Sequence, residues 1–410
     1  GTRCAGHGSV YPERRAGGVR AARPCDAPAP RGFAEAEYVA RTKAAQAAMA
    51  RAGLGALLLT TEADLRYFTG FLTRFWESPT RPWFLVLPAQ GDPIAVIPAI
   101  GAALMARTWV RDIRTWRAPD PADDGVSLLA DTLNEVAAGA PVGTPMGLES
   151  HLRMPLADWH RVTQALRGPV VPDGGIVAGL RAVKSPAEVA KIETACAIAG
   201  RTFDRVGNFA AEGVPLSRVF REFQRTALEE GADWVPYLAG GAGPGGYADV
   251  ISPASGDPLM RGDVLMLDTG LVHDGYFCDF DRNFCIGSAS APVRAGLARL
   301  IDAVDAAAEA IRPNQTRAAD IFRIMDNVVT KGAGGTEAGR LGHGLGMQLT
   351  EGLSLIPGDV TVLRPGMVLT LEPGIDMGDG RILVHEEDIL VTETGCRFLS
   401  PRAGREPVIL

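Results

Sequence analysis

The sequence predicts an α+β chain in two structured parts, an α/β part over residues 33–172 and an α+β part over residues 173–410. Three observations carry this. A chain of 410 residues is longer than one ordinary hydrophobic core sustains. Short apolar runs alternate with helix-like stretches as far as about Pro172, the pattern of a layered α/β unit. Beyond it, β-like segments that end in or contain a carboxylate or an imidazole are interleaved with longer helices.

Taking the chain in order, residues 1–32 are rich in Gly, Arg, Pro and Ala without an apolar period, and read as a disordered leader or as sequence foreign to the native protein. They hold no contiguous apolar stretch of the kind a secretory signal needs. An Ala-rich helix follows over 34–52 and breaks at Gly53-Leu54-Gly55; residues 56–60 are a short buried strand. Residues 83–87 and 94–97 form a hairpin-like pair across Gly91-Asp92. The intervening loop, 73–83, carries Trp76, Trp83, Arg74 and Arg81, and has two readings: a substrate lid, or a loop anchored by packed aromatics. The second part opens at Ser185-Pro186-Ala187-Glu188, where Ser as N-cap, Pro at N1 and Glu at N3 make a capping box. Further helices fit 216–230, 292–311 and 317–329.

Composition narrows the function. A net charge of −7 argues against nucleic acid or an anionic membrane as the main partner, and no apolar run is long enough to span a bilayer. Six cysteines without paired spacing make no disulfide framework and point to a reducing cytoplasm. Cys278 and Cys285, beside Asp279, read as small packing residues.

The chemistry concentrates in four segments. Residues 264–287 deliver Asp268 at the end of an apolar strand and return, through a turn at Asp274-Gly275, to Asp279. Taken alone, two Asp at hairpin ends fit exposed turns. Gly342-His343-Gly344-Leu345-Gly346 places an imidazole where backbone can approach closely, Leu371-Glu372-Pro373-Gly374 ends a run on a carboxylate, and His385-Glu386-Glu387-Asp388 embeds acids in another. Two Asp, one His and two Glu suit a pair of divalent first-row ions bridged by carboxylates.

This order, Asp268, Asp279, His343 in GHGxG, Glu372 in EPG and a Glu before Val391-Thr392, resembles the peptidase M24 family, which includes methionine aminopeptidase, aminopeptidase P, prolidase and creatinase. The Asp64–Gly70 stretch and the entry at Arg181, Lys184, Ser185 and Glu188 also resemble that family, so the likeness covers nearly all of residues 33–400. The resemblance implies a pita-bread catalytic domain over 173–410 behind a creatinase-type N-terminal domain over 33–172. It implies Asp268, Asp279, His343, Glu372 and Glu386 as ligands of two divalent ions, manganese first among Mn, Fe, Co and Zn. Glu386 is preferred to Glu387 because the family glutamate lies five residues before that Val. Asp279 and Glu386 would bridge both ions, and Glu372 would shuttle the proton.

Three departures concern the substrate. Thr350 stands where the family peptidases carry a second His, no His lies anywhere in 239–260 where another is expected, and Val384 replaces an Arg found in prolidases. Tyr247 and Asp249, beside a glycine-rich loop, are the candidates for a compensating group, with Thr350 as a hydrogen-bond donor. The expected function is a dinuclear metal-dependent hydrolase of Xaa-Pro aminopeptidase or dipeptidase type that uses a bridging hydroxide on a short peptide. The alternative is a metalloenzyme of the same fold acting on a small non-peptide substrate, by ectoine-hydrolase-like amide hydrolysis or dimethylsulfoniopropionate-lyase-like elimination. A cytoplasmic homodimer is expected.

Overall fold

The computed structural model describes residues 31–78, 82–336 and 339–410. The leader reading therefore falls almost wholly outside the described residues. Six strands build the first sheet: β1 (Ala56–Leu59), β2 (Phe84–Pro88), β3 (Ile94–Pro98), β4 (Asp112–Trp116), β5 (Val142–Thr144) and β6 (Val170–Pro172), in the order β4-β3-β2-β1-β5-β6. β1, β2 and β3 run antiparallel to their neighbours in turn, whereas β4, β5 and β6 join in parallel.

Continuous apolar runs in β1 to β3 follow from burial of both faces. Side chains alternate across a strand, so Ala56 and Leu58 join Phe84, Val86 and Val96 in a core with Val126, Leu129 and Leu133 of the helix Val126–Ala137. Leu57 and Leu59 turn the other way, into a larger core that takes in Met49 and Phe68 and continues through the helix Pro186–Phe203. Each such side chain contributes about 1.5–3 kcal/mol by leaving water. The stretch after β1 is a helix, Glu62–Thr69, capped by Thr61 and ended by Gly70 in the left-handed region.

Of the 73–83 loop, residues 79–81 lie outside the described residues, and Trp76 and Trp83 pack against each other and Phe71 in the core.

In the second part, β7 (Trp234–Pro244), β8 (Asp263–His273) and β10 (Phe280–Cys285) lie side by side, with β9 (Tyr276–Phe277) folded onto β8. In a second sheet β11 (Val368–Leu371) pairs with a strand further along the chain, and the hairpin of β12 (Gly374–Gly378) and β13 (Arg381–Val384) lies between the two in sequence. That partner is β14 (Glu387–Val391), flanked by β15 (Cys396–Phe398), while β16 (Val408–Ile409) returns to pair with β10. Helices Pro186–Phe203, Leu216–Glu230, Ala291–Ala310 and Ala318–Val329 cover the sheets, within about a residue of the sequence-based bounds, and the Ser185–Glu188 capping box forms. Gly240 shows why β7 is glycine-rich: at φ 145° a Cβ there would stand 2.1 Å from the Met266 carbonyl oxygen of β8.

Candidate metal centre

Asp268 lies in a strand, and the other candidate side chains sit at strand ends or in an extended segment. In β8 the side chains of Val264 and Met266 share a core, and the same alternation brings out Asp268, paired across the sheet with Asp281 of β10. The turn at Asp274-Gly275 sends the chain back through β9, so that Asp279 precedes β10, its amide donating to Asp388 Oδ2 at 2.9 Å. His343 lies in an extended segment along β11: the Thr370 amide donates to the His343 carbonyl at 2.8 Å, and the Glu372 amide donates to Leu341 at 3.0 Å. Gly342 is needed there, because at φ 151° a Cβ would meet the Thr370 oxygen at 2.2 Å. Glu386 immediately precedes β14, its amide held by Asp281 Oδ1 at 3.1 Å.

Asp279, His343 and Glu386 each offer a ligand atom within 4.8 Å of the others. His343 Nε2 is 3.3 Å from Asp279 Oδ2 and 3.9 Å from Glu372 Oε1. Asp268 is tied in through Glu386 and through Tyr237, whose hydroxyl donates to Asp268 Oδ2 at 3.0 Å. All five residues thus gather at one place, and Glu386 rather than Glu387 faces it. Glu387 is engaged by Arg282 at 3.0 Å and by Ser400, and His385 turns to Asp281 and Glu387.

The electrostatics are those of a buried acid cluster. Burial, then the neighbouring acids, pushes Asp268 up to about 7 and Asp279 and Glu386 well above the usual range; burial also raises Glu372, to about 8, against the opposing charge of Arg340. Glu372 keeps 22 % of its side-chain surface, so solvent tempers its rise. Burial lowers His343 to about 4, which leaves it neutral. With the Nδ1 proton assigned to the Gly344 carbonyl, 2.9 Å away, the Nε2 lone pair faces the acids.

One oxygen on each of Asp268, Asp279 and Glu386 is buried without a hydrogen-bond partner among the described residues. Orphaned anionic oxygens and a neutral imidazole on one point are the donor set of divalent cations, and their burial is costly without them. Asp279, His343 and Glu386 fit a divalent ion.

The remaining candidates are placed differently. Thr350 Oγ1 accepts from Arg340 Nη2 at 3.1 Å, and Arg340 Nε lies 3.6 Å from Glu372 Oε1, so Thr350 reaches the cluster through Arg340. Tyr247 and Asp249, the expected compensating groups, have their hydrogen bonds elsewhere. The Tyr247 hydroxyl is buried, donates to Asn283 Oδ1 at 3.1 Å and accepts from the Val384 amide at 2.6 Å. Asp249 is solvent-facing and caps the turn at Ile251 and Ser252. His273 is buried, with neither ring nitrogen partnered among the described residues.

Sequence reasoning missed Arg340 and Tyr237, neither of which sits in a recurrent spacing. It also missed the buried charges behind Thr350: Arg181 donates to Asp64 at 2.8 Å, to Gln348 at 2.7 Å and to Glu351, which Lys184 also holds at 2.9 Å. Against burial, which would raise it, these two cations bring Glu351 down to about 2. Asp64 precedes the second part by more than a hundred residues, so this network links the first sheet's region to the His343–Thr350 loop.

Residues 190–393 match metallopeptidase family M24, and residues 41–183 match the creatinase/prolidase N-terminal domain. The chain is similar to the probable dipeptidase PepE of Mycobacterium tuberculosis, 32% identical over 364 residues that cover 87% of this chain and 93% of the relative. It is also similar to the agropine synthesis cyclase of Rhizobium rhizogenes, 29% identical over 398 residues, 89% and 96% of the two chains. The crystal structure of dipeptidase PepE from Mycobacterium ulcerans superposes with a TM-score of 0.80 at 30% identity, covering 92% of this chain and 99% of that one.

Proposed function

We propose, for a chain that belongs to metallopeptidase family M24, that its reaction is hydrolysis of the Xaa-Pro bond of dipeptides and short peptides. Membership makes it a metal-dependent hydrolase of pita-bread fold with a creatinase-type N-terminal domain. The finer reading divides the chain at 172/173 and assigns Asp268, Asp279, His343, Glu372 and Glu386 as ligands of two divalent ions, manganese first. The observation that carries it is the set of orphaned, buried oxygens on Asp268, Asp279 and Glu386 around the neutral imidazole of His343.

When bound, two such ions supply a hydroxide nucleophile near neutral pH and polarise the scissile carbonyl. The chain's own groups do the rest. Glu372, partly exposed and beside Arg340, would take one proton from the attacking water and give it to the leaving nitrogen. Thr350 accepts from Arg340, so its own hydroxyl proton is free to be donated to the substrate carbonyl oxygen, in the place of the missing imidazole. Asp388 and Asp281 fix the backbone of Asp279 and Glu386. The free cysteines among the described residues, Cys196, Cys278, Cys285 and Cys396, accord with a reducing cytoplasm, and a homodimer completes the reading. No helix among the described residues is long and apolar enough to cross a membrane.

The test is turnover of a Gly-Pro dipeptide and an Xaa-Pro tripeptide by manganese-loaded protein beside the metal-stripped form. Metal-dependent cleavage at the Xaa-Pro bond is expected. Failure on both favours the second reading, a small non-peptide substrate, for which the likeness to a relative named as a synthesis cyclase and the substitutions Thr350 and Val384 speak.

A further inference from the structure

The two carboxylates assigned to both ions stand on different sheets. Asp279 immediately precedes β10, which pairs with β8, and Glu386 immediately precedes β14, which pairs with β11 and β15. No backbone hydrogen bond joins β10 to β14 among the described residues. Asp279 and Glu386 nevertheless come close enough to share a cation with His343. Buried side chains supply the contact that a strand ladder would otherwise make.

Each ligand is followed, two residues on, by a second acid, Asp281 after Asp279 and Asp388 after Glu386. The two acids cross. The Asp279 amide donates to Asp388 Oδ2 at 2.9 Å, and the Glu386 amide donates to Asp281 Oδ1 at 3.1 Å. Each ligand's backbone is thus held by the acid of the opposite sheet. Arg282 adds a third tie, from Nη2 to Glu387 Oε2 at 3.0 Å and from Nη1 to the Glu386 carbonyl at 3.3 Å. The acids are themselves supported: the Asp388 amide donates to Ser400 Oγ at 3.0 Å, the Cys196 thiol donates to Asp388 Oδ2 at 3.3 Å, and His385 Nδ1 faces Asp281 Oδ1 at 3.5 Å.

Both acids are buried, and each keeps one oxygen, Asp281 Oδ2 and Asp388 Oδ1, without a hydrogen-bond partner among the described residues. A buried carboxylate left half-satisfied costs stability. A hydroxyl or a carboxamide would accept the same amide proton at less cost. What a carboxylate adds is a stronger bond to the amide and negative charge beside a cation site. The acids therefore serve the cation site rather than the fold.

We propose that Asp281 and Asp388 are positioning residues that form one crossed clasp between the two sheets, so that docking of the sheets and capture of the cation are a single event. Each acts through the ligand of the other sheet. This rests on the assignment of Asp279 and Glu386 as ligands in the reading above.

The experiment titrates metal-stripped, full-length protein with manganese by calorimetry in wild type, Asp279→Asn, Asp281→Ala, Asp388→Ala, the double alanine variant, Asp281→Asn and Asp388→Asn. Amide hydrogen exchange at residues 279 and 386 is followed in the metal-free proteins. Each single alanine should raise Kd about 10- to 100-fold, the usual effect of removing a group that orients a metal ligand. Asparagine keeps an acceptor but loses the charge, and should raise Kd about three- to tenfold. Asp388→Ala should speed exchange of the Asp279 amide, and Asp281→Ala that of the Glu386 amide, each by about tenfold or more. The double variant should lose less than the product of the two single losses, because breaking either half frees the pair. Groups that only support the fold would lower the melting temperature and leave Kd within about twofold of wild type, and that result overturns the proposal. A double loss equal to the product also overturns it. Where the alanine variants do not fold, the asparagine variants decide: the expected rise in Kd supports the clasp and an unchanged Kd in both overturns it. Wild-type affinity in Asp279→Asn overturns the ligand assignment and the clasp with it. A loss there, beside unchanged Kd in the Asp281 and Asp388 variants, overturns the clasp alone.

Discussion

Metal uptake by this protein should release protons, and the number follows from the carboxyls that hold them. Asp268 is raised to about 7 and Glu372 to about 8 by burial and by one another's neighbourhood of acids. At pH 6.5 a carboxyl at the first value is roughly three-quarters protonated and one at the second nearly fully so, about 1.7 protons together. Asp279 and Glu386, raised well above the usual range, add to this. The partial exposure of Glu372 lowers the floor to about one proton. Calorimetric titration of metal-stripped protein with manganese, in buffers of differing ionisation enthalpy, reads the number as a slope. It should exceed about one at pH 6.5 and fall as Asp268 and Glu372 ionise on their own toward pH 9. The same groups set the metal-free stability. A carboxyl raised in the folded state stabilises fully below its unfolded value and loses that contribution as pH rises through its folded one. Metal-stripped protein should therefore melt progressively lower between about pH 6.5 and 8.5. His343, lowered to about 4, acts the other way and only below its ordinary 6.5, where the unfolded chain takes up the extra proton. A release below about 0.3 proton at pH 6.5, or a melting temperature flat over that range, would refute the view that these acids lie unpaired against each other.

Three substitutions probe other parts of the account. Asp279→Asn should abolish turnover and reduce bound metal to at most one ion per chain by elemental analysis, since a carboxylate proposed to serve two ions would lose one anionic contact; full activity with two ions removes the ligand assignment. Glu351→Gln leaves Arg181 and Lys184 buried beside a neutral group and should cost about 3–5 kcal/mol in urea unfolding, and a loss below about 1 kcal/mol would mean the network is solvated. Tyr247→Phe removes a buried hydroxyl bonded to Asn283 and Val384 and should cost about 1–3 kcal/mol in stability while kcat stays unchanged. A fall in kcat with stability intact would instead return Tyr247 to the chemistry.

Much of this was legible in the sequence because it is periodic or local. The alternation that buries Leu57 against Leu58 on opposite faces, the Ser185–Glu188 box and the apolar runs ending on Asp268 and Glu372 each advertise themselves within a few residues. What was not legible depends on pairings across long separations. Tyr247 follows a glycine loop and looks free, yet its partners are Asn283 and the backbone of Val384, brought by the β12–β13 hairpin. His273 sits at a turn that reads as exposed, and the packing around β8 and β9 buries it. Arg340 has no motif: only folding sets a single arginine beside Glu372, Thr350 and Glu149.

The most direct test of the metal assignment is anomalous diffraction at the manganese edge from crystals of metal-loaded protein. The account predicts two peaks among Asp268, Asp279, His343, Glu372 and Glu386, with the carboxylates of Asp279 and Glu386 reaching both. A single peak, or peaks held by other residues while these five keep the mutual contacts described above, would contradict it.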